Sequence, residues 1–260
     1  NHYLSVIVPI YNEPQFLENI KIIEETLKKS FADFEIICVE DGHNGLLKTK
    51  SRKNHSSRIK IISYPFNVGK GFALAYGFSQ SKGNLVAFLD GDLDIHPRQL
   101  RLFVDLLDLV NADIVIGSKR HPLSRVQYPL LRRIYSLCYQ LFVKILFGLN
   151  ISDTQVGIKI FRRKVLREVI PRLVVKAWAF DLEVLVVAHH LGYRKIIEAP
   201  VEIKMRRFGS KIGFGAIRNI LTDTAAIFYR RYLLHHYDQN IPSPYLKIRR
   251  KKRIKKSPKK

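Results

Sequence analysis

Three carboxylates at alternate positions, Asp90, Asp92 and Asp94, stand between an apolar run and a proline in Leu89-Asp90-Gly91-Asp92-Leu93-Asp94-Ile95-His96-Pro97. Carboxylate oxygens are the donors that Mg²⁺ or Mn²⁺ prefers, and Gly91 lets a ligand approach the backbone closely. The competing reading without chemistry is an acidic turn that caps a helix beginning at Pro97. D-x-D is too short to decide alone. Two other turns add polar groups after apolar runs, Tyr11-Asn12-Glu13-Pro14 and Glu40-Asp41-Gly42. Lys70, flanked by glycines in Asn67-Val68-Gly69-Lys70-Gly71, opens a helical pattern, where backbone N–H groups and the helix dipole favour anions. Together these groups suggest a metal-bound nucleotide. The glycine loop matches neither G-x-x-x-x-G-K-[ST] nor G-x-G-x-x-G.

Positioning these groups requires elements that end on one edge. Residues 4–10, 35–39, 58–64, 84–90 and 113–117 read as strands, the first apolar throughout as in a strand buried on both faces. Helical patterns fall between them, from Pro14 to about residue 29, from Phe72 through Ala75, Tyr76, Phe78 and Ser79 to Lys82-Gly83, and from Pro97 to about Leu109. This alternation predicts an α/β fold with a doubly wound parallel sheet, whose strand ends form one crevice where the three acidic turns can meet. Cys38 in a strand and Cys138 in a helix are expected to be buried core residues, and a reducing, cytosolic compartment fits them. No basic-then-apolar leader precedes the first strand, so no secretory signal is expected.

The second half differs in charge. Residues 1–118 carry 13 Lys/Arg against 14 Asp/Glu and residues 119–260 carry 32 against 8, which places the whole excess of +23 beyond residue 118. Such asymmetry points to an anionic surface, either nucleic acid or the cytoplasmic leaflet of a membrane. From 127 to 150, Arg132, Ser136, Gln140 and Lys144 recur every fourth residue beside Arg133. Leu130, Leu131, Ile134, Leu137, Leu141, Phe142, Ile145 and Leu146 fill the rest. This is an amphipathic helix, either packed on the core or lying in a membrane interface. A second such helix spans 214–236, and ten of the last fourteen residues are Lys or Arg, a tail expected to be disordered and available to anions. No apolar run reaches the about 18 residues of a spanning helix. His96 reads as a helix-start residue, and the pairs His189-His190 and His235-His236 have poor spacing for one metal and are assigned no function.

Seven ordered motifs resemble the family 2 glycosyltransferases of GT-A fold, and among them the dolichyl- and polyprenyl-phosphate mannose and glucose synthases. They are Val8-Pro9-Ile10-Tyr11-Asn12-Glu13, Val39-Glu40-Asp41-Gly42, Asn67-Val68-Gly69-Lys70-Gly71, Asp90-Gly91-Asp92, Gly117-Ser118-Lys119-Arg120, Asp153-Thr154-Gln155-Val156-Gly157 and the stretch 206–211. The resemblance implies a GT-A, Rossmann-like, mostly parallel sheet with helices on both faces and C-terminal amphipathic interfacial helices. It divides the chain into a 1–237 transferase domain, with a nucleotide-sugar half (1–118) and an acceptor and membrane-surface half (119–237), and a basic 238–260 tail. By the same resemblance Pro9, Tyr11, Glu13 and Asp41 hold base and ribose, Lys70 contacts the donor, and Asp90 and Asp92 reach the diphosphate through Mg²⁺ or Mn²⁺, with Asp94 as a third ligand. Arg207 grips the diphosphate, with Arg206 as its alternative because the spacing is one residue off. His43 stands where the family usually has Ser after Asp-Gly. The motifs beginning at Asp153 and Trp178 tilt the donor from GDP-mannose toward UDP-glucose.

A lipid phosphate is substantially ionised at neutral pH, with a second pKa near about 6, and needs cations rather than a strong base. Arg132 and Ser136, one helical turn apart, are expected to hold it with Lys119 or Arg120 opposite, while Asp153 and Gln155 shape the acceptor loop. The expected reaction is inverting, metal-dependent transfer of one hexose to dolichyl or polyprenyl phosphate at the cytoplasmic membrane face. The enzyme would be peripheral, alone or with an anchoring partner. A transferase acting on a soluble or polysaccharide hydroxyl is the alternative, and would need Asp153 or Asp181 as a base. A nucleic-acid partner is not expected, because the tail offers only Tyr245 for stacking and no reading motif is present.

Overall fold

Apolar runs in the first half become strands whose alternate residues fill two separate cores. The computed structural model describes residues 2–42, 56–126, 130–176, 179–204 and 214–239, with the side chains of 130–135, 214, 216 and 217 left out. Among these, seven strands form one sheet in the order β3-β2-β1-β4-β7-β5-β8. They are β1 (Tyr3–Ile10), β2 (Asp33–Asp41), β3 (Ile59–Tyr64), β4 (Leu85–Leu89), β5 (Ile114–Ser118), β7 (Ile158–Arg162) and β8 (Ile196–Pro200), with β6 (Arg125–Val126) and β9 (Glu202–Ile203) pairing apart from them. Ile7, Val39 and Phe88 face one core, while Val6, Val8, Cys38 and Leu89 face the other. The helices supply the second layer of each core. Helices α1 (Phe16–Ser30) and α3 (Leu100–Leu109) cover one face through Ile20, Ile23, Leu27, Phe103 and Leu107. On the other face lie α2 (Lys70–Gln80), α4 (Leu130–Phe147), α5 (Arg163–Val169) and α6 (Phe180–His190).

The expected alternation holds through β5, with small shifts at the ends. Pro14 lies in a turn before α1, and Pro97 opens a short 3-10 turn (Pro97–Gln99) ahead of α3, where the His96 ring accepts a bond from Arg98 N. Beyond β5 the chain re-enters the same sheet. β7 inserts antiparallel between β4 and β5, and β8 adds parallel outside β5, so the basic half of the sequence helps to build the sheet.

The amphipathic segments form shorter helices than the sequence pattern suggests, α4 and α7 (Phe214–Tyr232), tied by a 3.0 Å bond between Tyr139 Oη and Thr224 Oγ1. Val143, Phe147 and Ile227 are buried, but Leu137, Leu141 and Ile145 are 51, 59 and 73% exposed. One narrow face of α4 therefore packs on the core and a separate apolar row does not. Cys138 lies on the outer side and is exposed, contrary to expectation, while Cys38 is buried. The histidine pairs are brought together by the fold. His190 Nε2 and His235 Nδ1 lie 2.5 and 3.4 Å from the two carboxylate oxygens of Asp238.

Candidate active site

Parallel register puts the acidic turns on one edge. Ile7 pairs with Phe88, Ile10 with Glu40 and Asp41 with Tyr64, so Pro9, Asp41 and Asp90 leave the sheet together. The Asp90 turn is held from two sides. Asn19 of α1, fully buried, donates to Gly91 O at 2.9 Å, and Asp90 N donates to Gly157 O at 3.0 Å. A Cβ on Gly157 would stand 2.0 Å from Asp90 Oδ2, so any larger residue here would displace the Asp90 carboxylate. Neither Asn19 nor Gly157 is legible as a support of Asp90, because each acts across more than 60 residues.

Asp92 accepts a bond from Asp94 N at 3.1 Å, and burial together with the charge of Asp90 pushes its carboxyl up to about 6. A cation shared with Asp90 would relieve the cost of the Asp92 charge, and hard carboxylate oxygens suit Mg²⁺ or Mn²⁺. The expected three-ligand set is not assembled, since no group of three potential ligands converges among the described residues. Asp90 is followed by a turn at Gly91 and Asp92, Leu93 buries its side chain at φ +58°, and Asp94 remains beside Asp92 through its backbone N–H. Two carboxylates and substrate phosphate oxygens are a common ligand set for such ions.

The glycine loop is shaped by Asp41. Its two carboxylate oxygens accept from Val68 N at 2.7 Å and Gly69 N at 2.8 Å, and Gly69 takes φ +114° immediately before α2. Gly71 N donates to Lys176 O at 3.0 Å. Lys70 Nζ then lies 2.6 Å from Asp90 Oδ1 and 4.0 Å from Asp181 Oδ2. Burial works against the ammonium, but Asp90 and Asp181 outweigh it and hold the Lys70 pKa above its ordinary value. Tyr11, 57% exposed beyond β1, offers a free ring face, and Glu13 Oε1 accepts from Gln15 N at 3.3 Å.

The acceptor candidates gather at the end of β5. Asp153 accepts from Gln155 N at 3.0 Å and Lys119 N at 3.3 Å, with Lys119 Nζ at 3.5 Å. Glu198 of β8, which no sequence pattern singles out, fixes the loop by accepting from Ser152 N, Ser152 Oγ and Asp153 N. Arg120 donates to Ser136 Oγ at 3.0 Å and to Gln140 Oε1, joining the loop to two positions one turn apart on α4. Lys119, Ser136, Tyr139, Gln140, Asp153 and Gln155 line a cavity of about 50 Å³. Arg120 Nε and Gln155 Nε2 are buried without a hydrogen-bond partner among the described residues, two donors suited to an anion. The Arg132 side chain, Arg206 and Arg207 lie outside the described residues. Lys204, the last described residue before them, donates its N–H to Asp94 O at 2.9 Å.

Residues 5–170 match the model of glycosyl transferase family 2. The chain belongs to that family. The transferase is 33% identical over 252 residues to a dolichyl-phosphate beta-glucosyltransferase of Dictyostelium discoideum, covering 90% of this chain and 76% of that protein. A dolichyl-phosphate beta-glucosyltransferase of Trichomonas vaginalis is also 33% identical, over 88% of this chain and 74% of its own length. Among solved structures, glucosyl-3-phosphoglycerate synthase from Mycobacterium tuberculosis with Mn²⁺, UDP-glucose and phosphoglyceric acid superposes with a TM-score of 0.64. It is 16% identical and covers 89% of this chain and 80% of that one. Mannosyl-3-phosphoglycerate synthase from Rubrobacter xylanophilus gives 0.65 at 16% identity, over 92 and 77%. The transferase therefore has the GT-A fold expected from its motifs.

Proposed function

We propose that this glycosyltransferase moves one glucosyl unit from UDP-glucose to dolichyl or another polyprenyl phosphate, dependent on Mg²⁺ or Mn²⁺. The observation that carries this reading is the absence of an available base among the described acidic groups beside the acceptor cavity. Asp153 is occupied by two backbone N–H groups and Lys119. Asp181 is paired with the buried Lys159 at 2.8 Å. Although burial disfavours its charge, Lys159 and Lys70 hold its pKa below the ordinary range. A hydroxyl acceptor needs a proton taken from it, and a phosphate monoester does not. Lys119, Arg120 and Ser136 supply what a phosphate does need, cationic and hydroxyl donors that hold it in line with the sugar.

On the donor side, Tyr11 and Asp41 frame base and ribose, and Asp90 and Asp92 hold the metal-bound diphosphate with Arg207 or Arg206. A divalent ion bound there takes up charge on the leaving nucleoside diphosphate. Relatives named as dolichyl-phosphate beta-glucosyltransferases support glucose over mannose. The reaction is placed at the cytoplasmic membrane face. The apolar row Leu137, Leu141 and Ile145, with Leu233 and Leu234 following α7 near Arg230 and Arg231, suits an interface. No helix among the described residues is long and apolar enough to cross a membrane.

Donor choice is tested by incubating the chain in liposomes containing polyprenyl phosphate with UDP-glucose or GDP-mannose. A lipid-linked hexose from UDP-glucose, lost with chelator and restored by Mn²⁺, is expected, and product from GDP-mannose alone would refute the glucosyl assignment. Arg120→Gln is expected to raise the KM for the lipid phosphate by about ten- to a hundredfold while leaving the UDP-glucose KM within about twofold. Steady-state kinetics with each substrate varied separately checks it.

A further inference from the structure

An ionic chain, buried at its inner end, lies behind the acidic turn. Lys159, the second residue of β7 and 1% exposed, donates to Val156 O at 2.6 Å and pairs with Asp181 Oδ1 at 2.8 Å. The other oxygen of Asp181 lies 4.0 Å from Lys70 Nζ, which is 2.6 Å from Asp90 Oδ1. Four charges of alternating sign thus run from Lys159, opposite Phe88 of β4, out to Asp90 beyond the end of that strand. Burying any of them alone would be costly. Lys159 is compensated by Asp181, but the outer pair presents a conflict. Lys70 occupies the carboxylate assigned to the metal-bound diphosphate, and an ammonium and a divalent cation repel each other at one carboxylate. A divalent cation at Asp90 weakens the hold of that carboxylate on Lys70, and Asp181, already 4.0 Å away, offers a second anion within reach.

We infer that Asp181, paired with Lys159, is a positioning residue that takes over the Lys70 ammonium when Asp90 is given to the metal-bound diphosphate, keeping Lys70 beside the phosphates as a cation. The inference rests on the reading of Asp90 proposed above. It assigns Asp181 a counter-ion role in place of base catalysis, and it gives the buried Lys159 a function in donor binding. No bond is made or broken, and the step is an exchange of ion-pair partners.

A double-mutant cycle on equilibrium binding of Mn²⁺–UDP, read by titration calorimetry, separates this role from a structural one. The four full-length proteins are the unmodified chain, Lys70→Met, Lys159→Met with Asp181→Asn, and the triple variant. Removing both buried charges together leaves no uncompensated ion. The paired change is expected to weaken binding about tenfold when Lys70 is present and less than about twofold when residue 70 is Met. Equal losses in both backgrounds, or no loss with Lys70 present, would overturn the inference while leaving the donor site in place. An unmodified chain that bound no Mn²⁺–UDP would overturn the donor-site reading with it. Should the paired variant fail to fold, Asp181→Glu, which keeps the charge and displaces it by one methylene, enters the same cycle with the same two outcomes.

Discussion

Asp92→Asn is expected to lower kcat/KM for sugar transfer by at least about a thousandfold, the scale on which removing a charge-stabilising group from a reacting centre acts. The substitution keeps the size of the side chain and its acceptor oxygen for Asp94 N, and removes only the charge. It should not harm the fold. Asp92 is exposed and the change removes no packing, so the thermal midpoint without metal should hold. Activity above about a tenth of the unmodified level in a folded variant would remove Asp92 from the metal-bound diphosphate site.

Gly157→Ala is expected to cost about a hundredfold in kcat/KM, the loss that follows a misplacement of about 1 Å at a reacting centre. The added Cβ would meet Asp90 Oδ2 at 2.0 Å and Cγ at 2.5 Å, distances that no side chain tolerates, so the carboxylate must move. Its ion pair with Lys70 would be disturbed with it. The comparison is Gly148→Ala in the turn after α4, where no atom lies within 4 Å of the new methyl group, although φ +67° adds local strain there. Mn²⁺–UDP binding and activity should fall in the first variant and stay near the unmodified level in the second. Full activity of a folded Gly157→Ala protein would contradict the placement of Asp90.

Much of this site is legible in the sequence because its parts follow strand ends. β1, β2 and β4 are central and buried, so they appear as apolar runs, and the groups just beyond them share an edge once the strands are parallel. The four-residue spacing puts Ser136 and Gln140 on one face of α4, but that Arg120 reaches both is seen only in the structure. The strands beyond residue 118 hide for a physical reason. β7 carries Lys159 at its second position, and a lysine there reads as an exposed surface until its buried partner Asp181 is seen. Asn19, Glu198 and Gly157 escape in the same way. Each acts on a residue distant in sequence, and no local periodicity records such a contact. The positive φ of Leu93 between Asp92 and Asp94 is likewise invisible in the pattern, because alternation records residue type and not backbone conformation.

The most direct test of the central claim compares two acceptors that differ only in the phosphate. The chain is incubated with UDP-glucose, Mn²⁺ and either polyprenyl phosphate or the corresponding polyprenol in the same liposomes, and lipid-linked glucose is measured. The arrangement of Lys119, Arg120 and Ser136, with Asp153 and Asp181 both engaged, predicts product from the phosphate and none from the alcohol. Glucose transfer to polyprenol, or to a soluble hydroxyl acceptor with none to the lipid phosphate, would contradict it.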